Sequence, residues 1–430
     1  MLKYFTLQRD IGMQSLQDEL DKAFNKELFL IQNDIYYQQI ELEKQGKKEL
    51  LRVDISYKPY SALSGDTYSL RKTQDGRLVG FIADAMGKGL SAAMSAMGLT
   101  RFLNYFFDEL EEELGGFVFE KWSHKMLKFL QKNLLGDEIL CIMLIEFDVK
   151  HSLVRYASCG MPALLIETQT GELVSIKSNN PPLGSYSESI LVKALISTQM
   201  HKMLCYTDGL SESFTEDGKP YALMLKEDFK EAQSLIAFRT KVQERIGNGD
   251  DDLTYVYIQK SSFYKSFETL FIPSTYEAVD EALESISEYL KSHLIRSKCR
   301  SEILLAFSEL LLNALEHGSF GVNKTRKNYL IENDLFDDEM SRLEALHQEK
   351  MICIRFSIVS DGCGELFEAV VEDDGTGFDT KILKNLVINP HSFNGRGFMI
   401  IKKLVDHFYF NEKGNAITIL KRVERSLELQ

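Results

Sequence analysis

Residues Val79–Gly98 read VGFIADAMGKGLSAAMSAMG. The run VGFIA is apolar and short, Asp84 closes it, MGKG supplies a glycine turn, and a helix of small residues follows. A short apolar run bounded by turn residues reads as a buried strand, so Asp84 stands at a strand exit. The plan recurs at MLCYT (Met203–Thr207), which ends on Asp208 and Gly209. Asp251 and Asp252 stand immediately before the apolar run LTYVYIQ, and Asp66 lies in SGDTYS, after the extended segment RVDISYKP. One strand entered at an end and others left at that end bring such carboxylates to a single rim. Singly, an Asp-Gly after a strand is a turn signal. Packed together, several carboxylates are costly unless cations neutralise them, and hard oxygen ligands suit magnesium or manganese, so the pattern predicts a two-metal site.

The bulk properties set the frame for this reading. A chain of 430 residues with 44% apolar and 11% aromatic content can bury more than one core, so two domains are expected. The formal charge of −14 argues against nucleic-acid and anionic-membrane surfaces, which call for a basic excess. Six cysteines are scattered with no CxxC pair and read as reduced core thiols of a cytosolic protein. Apolar stretches such as MICIRFSIV (Met351–Val359) are far short of the ~20 residues of a membrane helix.

Three regimes follow one another. Residues 1–50, rich in Leu, Glu, Gln and Lys, read as one or two amphipathic helices, either a dimerising stalk or a helix packed on the next domain. Residues 51–260 carry short β-rich runs, glycine turns and intervening helices, which is one α/β domain. A third region, 267–425, begins with an apolar strand ending at Pro273, and Ser274-Thr275-Tyr276-Glu277 offers a capping box for a long helix. The boundary is expected between Ser261 and Ser266.

The ordered series SGDTYS, IADAMGKG with its small-residue helix, YASCGMPALLI, NNPPLG, LCYTDGLSES and DDLTYVYI resembles the metal-dependent (PPM-type) serine/threonine phosphatases. Its nearest subgroup is that of the stage II sporulation protein E and its stress-response relatives, over Leu51 to Gln259. The resemblance implies an αββα sandwich of two mostly antiparallel sheets with metals at one end. It makes Asp66, Asp84, Asp208 and Asp251 ligands of two Mn2+ or Mg2+ ions, with Asp84 bridging and the Ala85 carbonyl as a further ligand. The implied reaction is in-line attack of a metal-activated water on a phosphoserine or phosphothreonine. Ser64, Ala85 and Met161 depart from the family's commoner residues, and none of these departures removes a carboxylate.

In SEILLAFSELLLNALEHG (Ser301–Gly318), Glu309, Asn313 and His317 recur every fourth residue, a polar stripe on an otherwise apolar helix. Such a stripe is either solvated surface or a ligand face. Further on, LFEAVVE runs into DDGTGFD (Asp373–Asp379), where glycines let backbone approach a flat ring. NGRGF (Asn394–Phe398) opens a helix whose N-terminus suits phosphates. Together these segments resemble the nucleotide boxes of the GHKL ATPases, and within them the anti-sigma-factor serine kinases, over Phe267 to Arg422.

That resemblance implies a Bergerat-fold α/β sandwich, a mixed sheet with helices on one face, that binds ATP with Mg2+. Asn313 would be the magnesium ligand, Glu309 the base that takes the serine proton, and Asp373 the partner of the adenine amino group. Gly375, Gly377, Gly395, Arg396 and Gly397 would form the nucleotide loops, with room for a short lid between Gly377 and Gly395. The nearest upstream histidine, His293, lies in the same module, so histidine autophosphorylation is rejected. An insertion at 319–350 is either a partner-docking element or a decorated loop.

Two opposed activities on one chain imply a common substrate. In these families it is a STAS-domain anti-anti-sigma-type protein, with a sigma factor or an upstream sensor as a further partner. The alternative reading keeps the phosphatase and makes the C-terminal domain an ATP-sensing or partner-sequestering module. A scaffold with neither site working is the third reading, and the intact aspartates speak against it.

Overall fold

The apolar runs around Asp84 fold as neighbouring strands of a β-sandwich. The computed structural model describes residues 17–35, 37–44, 47–112, 115–148, 150–246, 251–262, 267–380 and 396–426. Two compact units divide the chain: Met1–Tyr36, Val53–Lys230 and Lys241–Lys260 form one, and Tyr37–Arg52, Glu231–Thr240 and Ser261–Gln430 the other.

Helix α1 spans 17–30. The expectation of helix through residue 50 fails after it. β1 (Gln39–Lys44) and the start of β2 (Lys47–Lys58) form an antiparallel hairpin, in register from Gln39↔Arg52 to Lys44↔Lys47. Ile40 and Leu42 alternate with Glu41 and Glu43, and this period of two outweighs a composition that favours helix. Of the expected N-terminal stalk, residues 1–16 lie outside the described residues.

In the first unit, β3 (Asp66–Lys72), β4 (Leu78–Ala85), β5 (Leu140–Asp148), β6 (Leu153–Cys159) and β9 (Lys193–Ile196) lie side by side in that order, antiparallel throughout. The second sheet places β11 (Leu253–Ser262) beside β2, followed by β10 (Met200–Tyr206), β7 (Leu164–Thr168) and β8 (Leu173–Ile176). Their inner faces meet where Ile55 and Val256 approach Tyr68 and Ile82. Helices α2 (Leu90–Glu112) and α3 (Phe119–Asn133) cover the first sheet, with Leu99, Leu103, Trp122 and Leu130 in the shared core. Trp122 keeps its indole N–H satisfied inside that core by donating to the Leu103 carbonyl at 3.0 Å. The short helix α4 (Asp208–Glu212) follows β10, and α5 (Ala222–Glu231) and α6 (Leu235–Arg245) follow it.

In the second unit, β12 (Glu268–Pro273), β13 (Met351–Ser360), β14 (Glu365–Asp373), β16 (Ala416–Val423) and β15 (His407–Phe410) form one sheet in that order. Among the described residues the pairings between these five strands are antiparallel, where a mixed sheet was expected, and a parallel bridge joins Gln38 to Phe410 at the β15 edge. Helices α7 (Tyr276–Ser292), α8 (Ser297–Asn313) and α11 (Arg396–Leu404) pack on one face around Ile286, Phe307, Phe367, Ile401 and Ile419. The cap of α7 is Thr275, whose hydroxyl accepts from Ala278 N at 3.2 Å, while Ser274 bonds Ser319 Oγ at 2.7 Å. The insertion folds as α9 (Lys324–Glu332) and α10 (Phe336–Leu346), tied to the core by Leu330, Met340 and Leu343. On the opposite sheet face, Ile236 packs on Leu366, Tyr409 and Leu420, and Gln39 donates to Thr418 Oγ1 at 2.9 Å. Among the described residues no helix is long and apolar enough to cross a membrane.

Candidate functional sites

In the first unit, strand register does most of the assembly. Asp66 opens β3 and is the direct partner of Asp84 on β4, and Asp84 is the direct partner of Cys141 on β5. Asp208 is the first residue of α4, immediately after β10, and Asp251 stands two residues before β11. Gly209 lets these last two elements meet, since a Cβ there would lie 1.9 Å from the Asp252 carbonyl oxygen. The Ala85 amide donates to Gly65 O at 3.1 Å, which fixes the turn of Ala85 against the SGD loop.

The electrostatics are those of crowded carboxylates. Asp66 is buried, and burial followed by the nearby Asp84 carboxylate raises its pKa well above the usual range, against the lowering effect of the Thr254 and Thr207 hydroxyls beside it. The Thr207 hydroxyl donates to Asp66 Oδ2 at 2.8 Å. Asp84 is pushed up to about 7, first by burial, then by the neighbouring Asp208 carboxylate, and then by Asp251 and Asp252. Asp84 and Asp208 line a cavity of about 250 Å3 with Met161, Pro162, Ser211 and Glu212.

The donor chemistry fits divalent cations. Carboxylates held at raised pKa by one another are relieved by a cation, and all the donors are hard oxygens. Among the described residues, however, no set of three acidic, histidine or cysteine side chains forms a ready cage. Asp84 is the member common to the Asp66 and Asp208 pairings. Asp251 is half-exposed and pairs with Lys88 Nζ at 2.9 Å. Its neighbour Asp252 accepts from Tyr60 N and Gly65 N, each at 2.7 Å, and so pins the loop that leads to Asp66.

Lys88 and Thr207 escaped the sequence reading. MGKG shows Lys88 as a turn residue, and only the fold reveals its pairing with Asp251. Asp252 was visible beside Asp251, yet its role depends on a partner 187 residues away.

In the second unit, α8 ends at Asn313 and a π-helical turn, Ala314–Ser319, continues it. Such turns widen a helix and recur at functional sites. The turn breaks the expected stripe after two members: Glu309 and Asn313 face the start of α11, while His317 bonds through Nδ1 to the Val322 carbonyl. A Cβ at Gly397 would lie 2.3 Å from Glu309 Oε2 and 3.8 Å from Asn313 Nδ2, so NGRGF approaches those side chains as only glycine allows. Arg396 opens α11, and Gly395 lies outside the described residues, as does most of the lid interval at 381–395.

Asp373 ends β14, with burial raising its pKa to about 6. Its Oδ1 accepts from Gly375 N at 2.7 Å, and its main chain is bracketed by Asn415, which the sequence reading missed. Gly318 brings the π-helical turn against Asp373, since a Cβ there would meet the carboxylate at 2.3 Å. Gly377 has φ +74° and leaves no room for a Cβ, which would fall 1.9 Å from Lys413 O. Asn313, Glu309 and Asp373 are oxygen-bearing groups around a glycine-lined approach, which fits a magnesium nucleotide.

Family models match both units. One described as stage II sporulation protein E (SpoIIE) covers residues 74–261, and one described as a histidine kinase-like ATPase domain covers 272–421. The chain joins a SpoIIE domain to a histidine kinase-like ATPase domain. The chain is 26% identical over 164 residues to the phosphoserine phosphatase RsbP of Bacillus subtilis (strain 168). That match spans 38% of this chain and 40% of the relative's length. Among solved structures, the RsbU and RsbW domains of Rv1364c from Mycobacterium tuberculosis align over 90% of this chain and 95% of that one, at 16% identity and a TM-score of 0.45. The SiaA PP2C domain of Pseudomonas aeruginosa aligns over 58% of this chain and 98% of that one, at 17% identity and a TM-score of 0.44.

Proposed function

We propose that this chain sets the phosphorylation state of a serine on a STAS-domain protein, removing phosphate through the SpoIIE domain and adding it from ATP through the ATPase domain. The observation that carries the reading is the Asp66–Asp84–Asp208 set, three carboxylates from separate elements linked through Asp84 beside a cavity. RsbP, a phosphoserine phosphatase, supports the substrate class for the first domain.

A pair of divalent cations, manganese or magnesium, would supply an activated water and a clamp on the phosphoryl oxygens. Asp84 and Asp208 would hold them, with Asp66 fixed in orientation by the Thr207 hydroxyl and Asp251 completing the set. The Ala85 carbonyl is the further candidate ligand. Lys88, an exposed cation beside Asp251, attracts the phosphate dianion to a rim that is otherwise acidic. In the ATPase domain, Asp373 would accept from the adenine amino group, while Asn313 would hold magnesium. Gly375, Gly377, Gly395, Arg396 and Gly397 are the candidates to line the nucleotide. Glu309 would take the serine hydroxyl proton as the Oγ–phosphorus bond forms and the bond to the departing nucleoside diphosphate breaks.

The test is intact-mass spectrometry of a STAS-domain partner. It is incubated with the chain, ATP and magnesium, and in pre-phosphorylated form with the chain and manganese, alongside Asp208→Asn and Asn313→Ala. Phosphate should be added only with Asn313 present and removed only with Asp208 present. Removal without addition, while ATP still binds, leaves the second domain as an ATP-sensing or sequestering module. Failure of both overturns the proposal.

A further inference from the structure

Helix α1 buries an unexpected residue. Along 17–30, the one residue in the buried class is Glu27, 2% exposed, while Phe29 is 65% exposed. A helix that docks for packing alone buries Leu or Ile; burying a carboxyl is costly unless its bonds are needed. Glu27 Oε1 accepts from the Tyr57 hydroxyl and from Ser64 N at 3.3 Å. Ser64 Oγ in turn accepts from Asp66 N at 3.0 Å, and the Tyr57 hydroxyl lies 3.5 Å from the Asp66 carbonyl oxygen. Both partners of Glu27 therefore touch the backbone of Asp66. Glu27 Oε2 is buried with no hydrogen-bond partner among the described residues. Burial pushes the carboxyl up to about 7 against the lowering effect of the Tyr57 and Ser64 bonds.

The chain after α1 is fastened to the same strand. Gln32 O accepts from Leu70 N and Asp34 N donates to Leu70 O, each at 2.8 Å. Gln32 N donates to Ser69 Oγ at 3.0 Å, and Asn104 Nδ2 donates to Leu30 O at 2.9 Å. β3 is thus held by the N-terminal segment at its middle through Gln32 and Asp34 and at its Asp66 end through Glu27.

We infer that Glu27 is a positioning residue of the phosphatase centre: through Tyr57 and Ser64 it holds the turn that delivers Asp66, so that the seating of α1 sets the metal affinity of the site. The inference rests on the phosphatase reading above. It predicts a specific pattern among substitutions, because Glu27→Gln retains an oxygen able to accept both bonds, Glu27→Ala removes both, and Tyr57→Phe removes one.

The experiment uses the full chain. Manganese is titrated against p-nitrophenyl phosphate hydrolysis and, separately, by calorimetry, with circular dichroism as the check on folding. Losing hydrogen bonds to a charged group should raise the manganese concentration for half-maximal activity by about tenfold or more in Glu27→Ala. Tyr57→Phe should move it the same way by less, and Glu27→Gln should stay close to wild type. High manganese should restore much of the rate in each, which a general loss of folding would not permit. Should Glu27→Ala not fold, Tyr57→Phe decides: a wild-type manganese response in that folded variant overturns the inference, as does a wild-type response in folded Glu27→Ala. If the wild-type chain itself binds no manganese and hydrolyses nothing, the phosphatase reading falls and the inference falls with it. A responsive wild type with unresponsive substitutions sinks the inference alone.

Discussion

Asp66 and Asp84 face each other as direct register partners on β3 and β4, so backbone hydrogen bonding, and not side-chain attraction, holds two like charges together. Sheet stability is what tolerates the repulsion, and the cost is visible in the raised pKa values of both. Asp84→Asn removes one charge from this set. It should abolish metal-dependent hydrolysis, and in the metal-stripped chain it should raise the melting temperature, because relief of a raised carboxylate is worth on the order of 1–2 kcal/mol. Differential scanning calorimetry in chelator, paired with a phosphatase assay in manganese, checks both. A lower melting point would mean that Asp84 is not strained by its neighbours.

Gly209→Ala tests whether close approach of two elements builds the site. The added methyl meets the Asp252 carbonyl, and a backbone atom yields less easily than a side chain. Destabilisation of roughly 1–3 kcal/mol is expected from overpacking of this kind. Because Asp208 and Asp251 flank the clash, phosphatase activity should fall at temperatures where the variant is still folded. Thermal melts and initial rates measured below the melting range separate the two effects.

Lys88 presents the opposite case, an exposed ion pair with little to lose in stability. Its partner Asp251 is half-exposed, and such pairs contribute roughly 0–1 kcal/mol. Lys88→Ala should therefore leave the melting temperature within a degree or two, yet raise KM for a phosphorylated substrate several-fold, most visibly at low ionic strength. A KM that is unchanged across salt concentrations would remove Lys88 from phosphate attraction.

The strand-ending aspartates are legible in sequence because Asp84 and Asp208 depend on local pattern: an apolar run, an acid, a glycine turn. Glu309 and Asn313 are legible for a similar reason, helical spacing. His317 is not, because the π-helical turn that redirects it has no period of its own in ALEHGS. Residues 39–50 read as helix because Leu, Glu and Lys dominate them, and a two-residue alternation this brief is masked by that composition in the sequence. Asn415 and Glu27 lie beyond sequence reading altogether, and so does the role of Asp252, though the residue itself stood out beside Asp251, since their partners come from distant chain segments.

Asp373 would give the proposed nucleotide site a dependence on pH. Burial lifts its carboxyl from 3.8 to about 6, so the fold favours the protonated form, and its contribution to stability falls as pH rises through that interval. Nucleotide binding runs the other way. An adenine amino group needs an acceptor, and ionised Asp373 is a better one than the neutral acid, which spends one oxygen as a donor. Affinity for an adenine nucleotide should accordingly weaken as pH is lowered from about 7.5 to about 5, with a midpoint near the raised pKa. Asp373→Asn should bind at least about tenfold more weakly at neutral pH, the loss of one charge-assisted bond, and should lose the titration. Fluorescent-nucleotide titrations of both proteins across that range provide the check. A wild-type profile that is flat, or a variant that retains the same midpoint, would take Asp373 out of contact with the base.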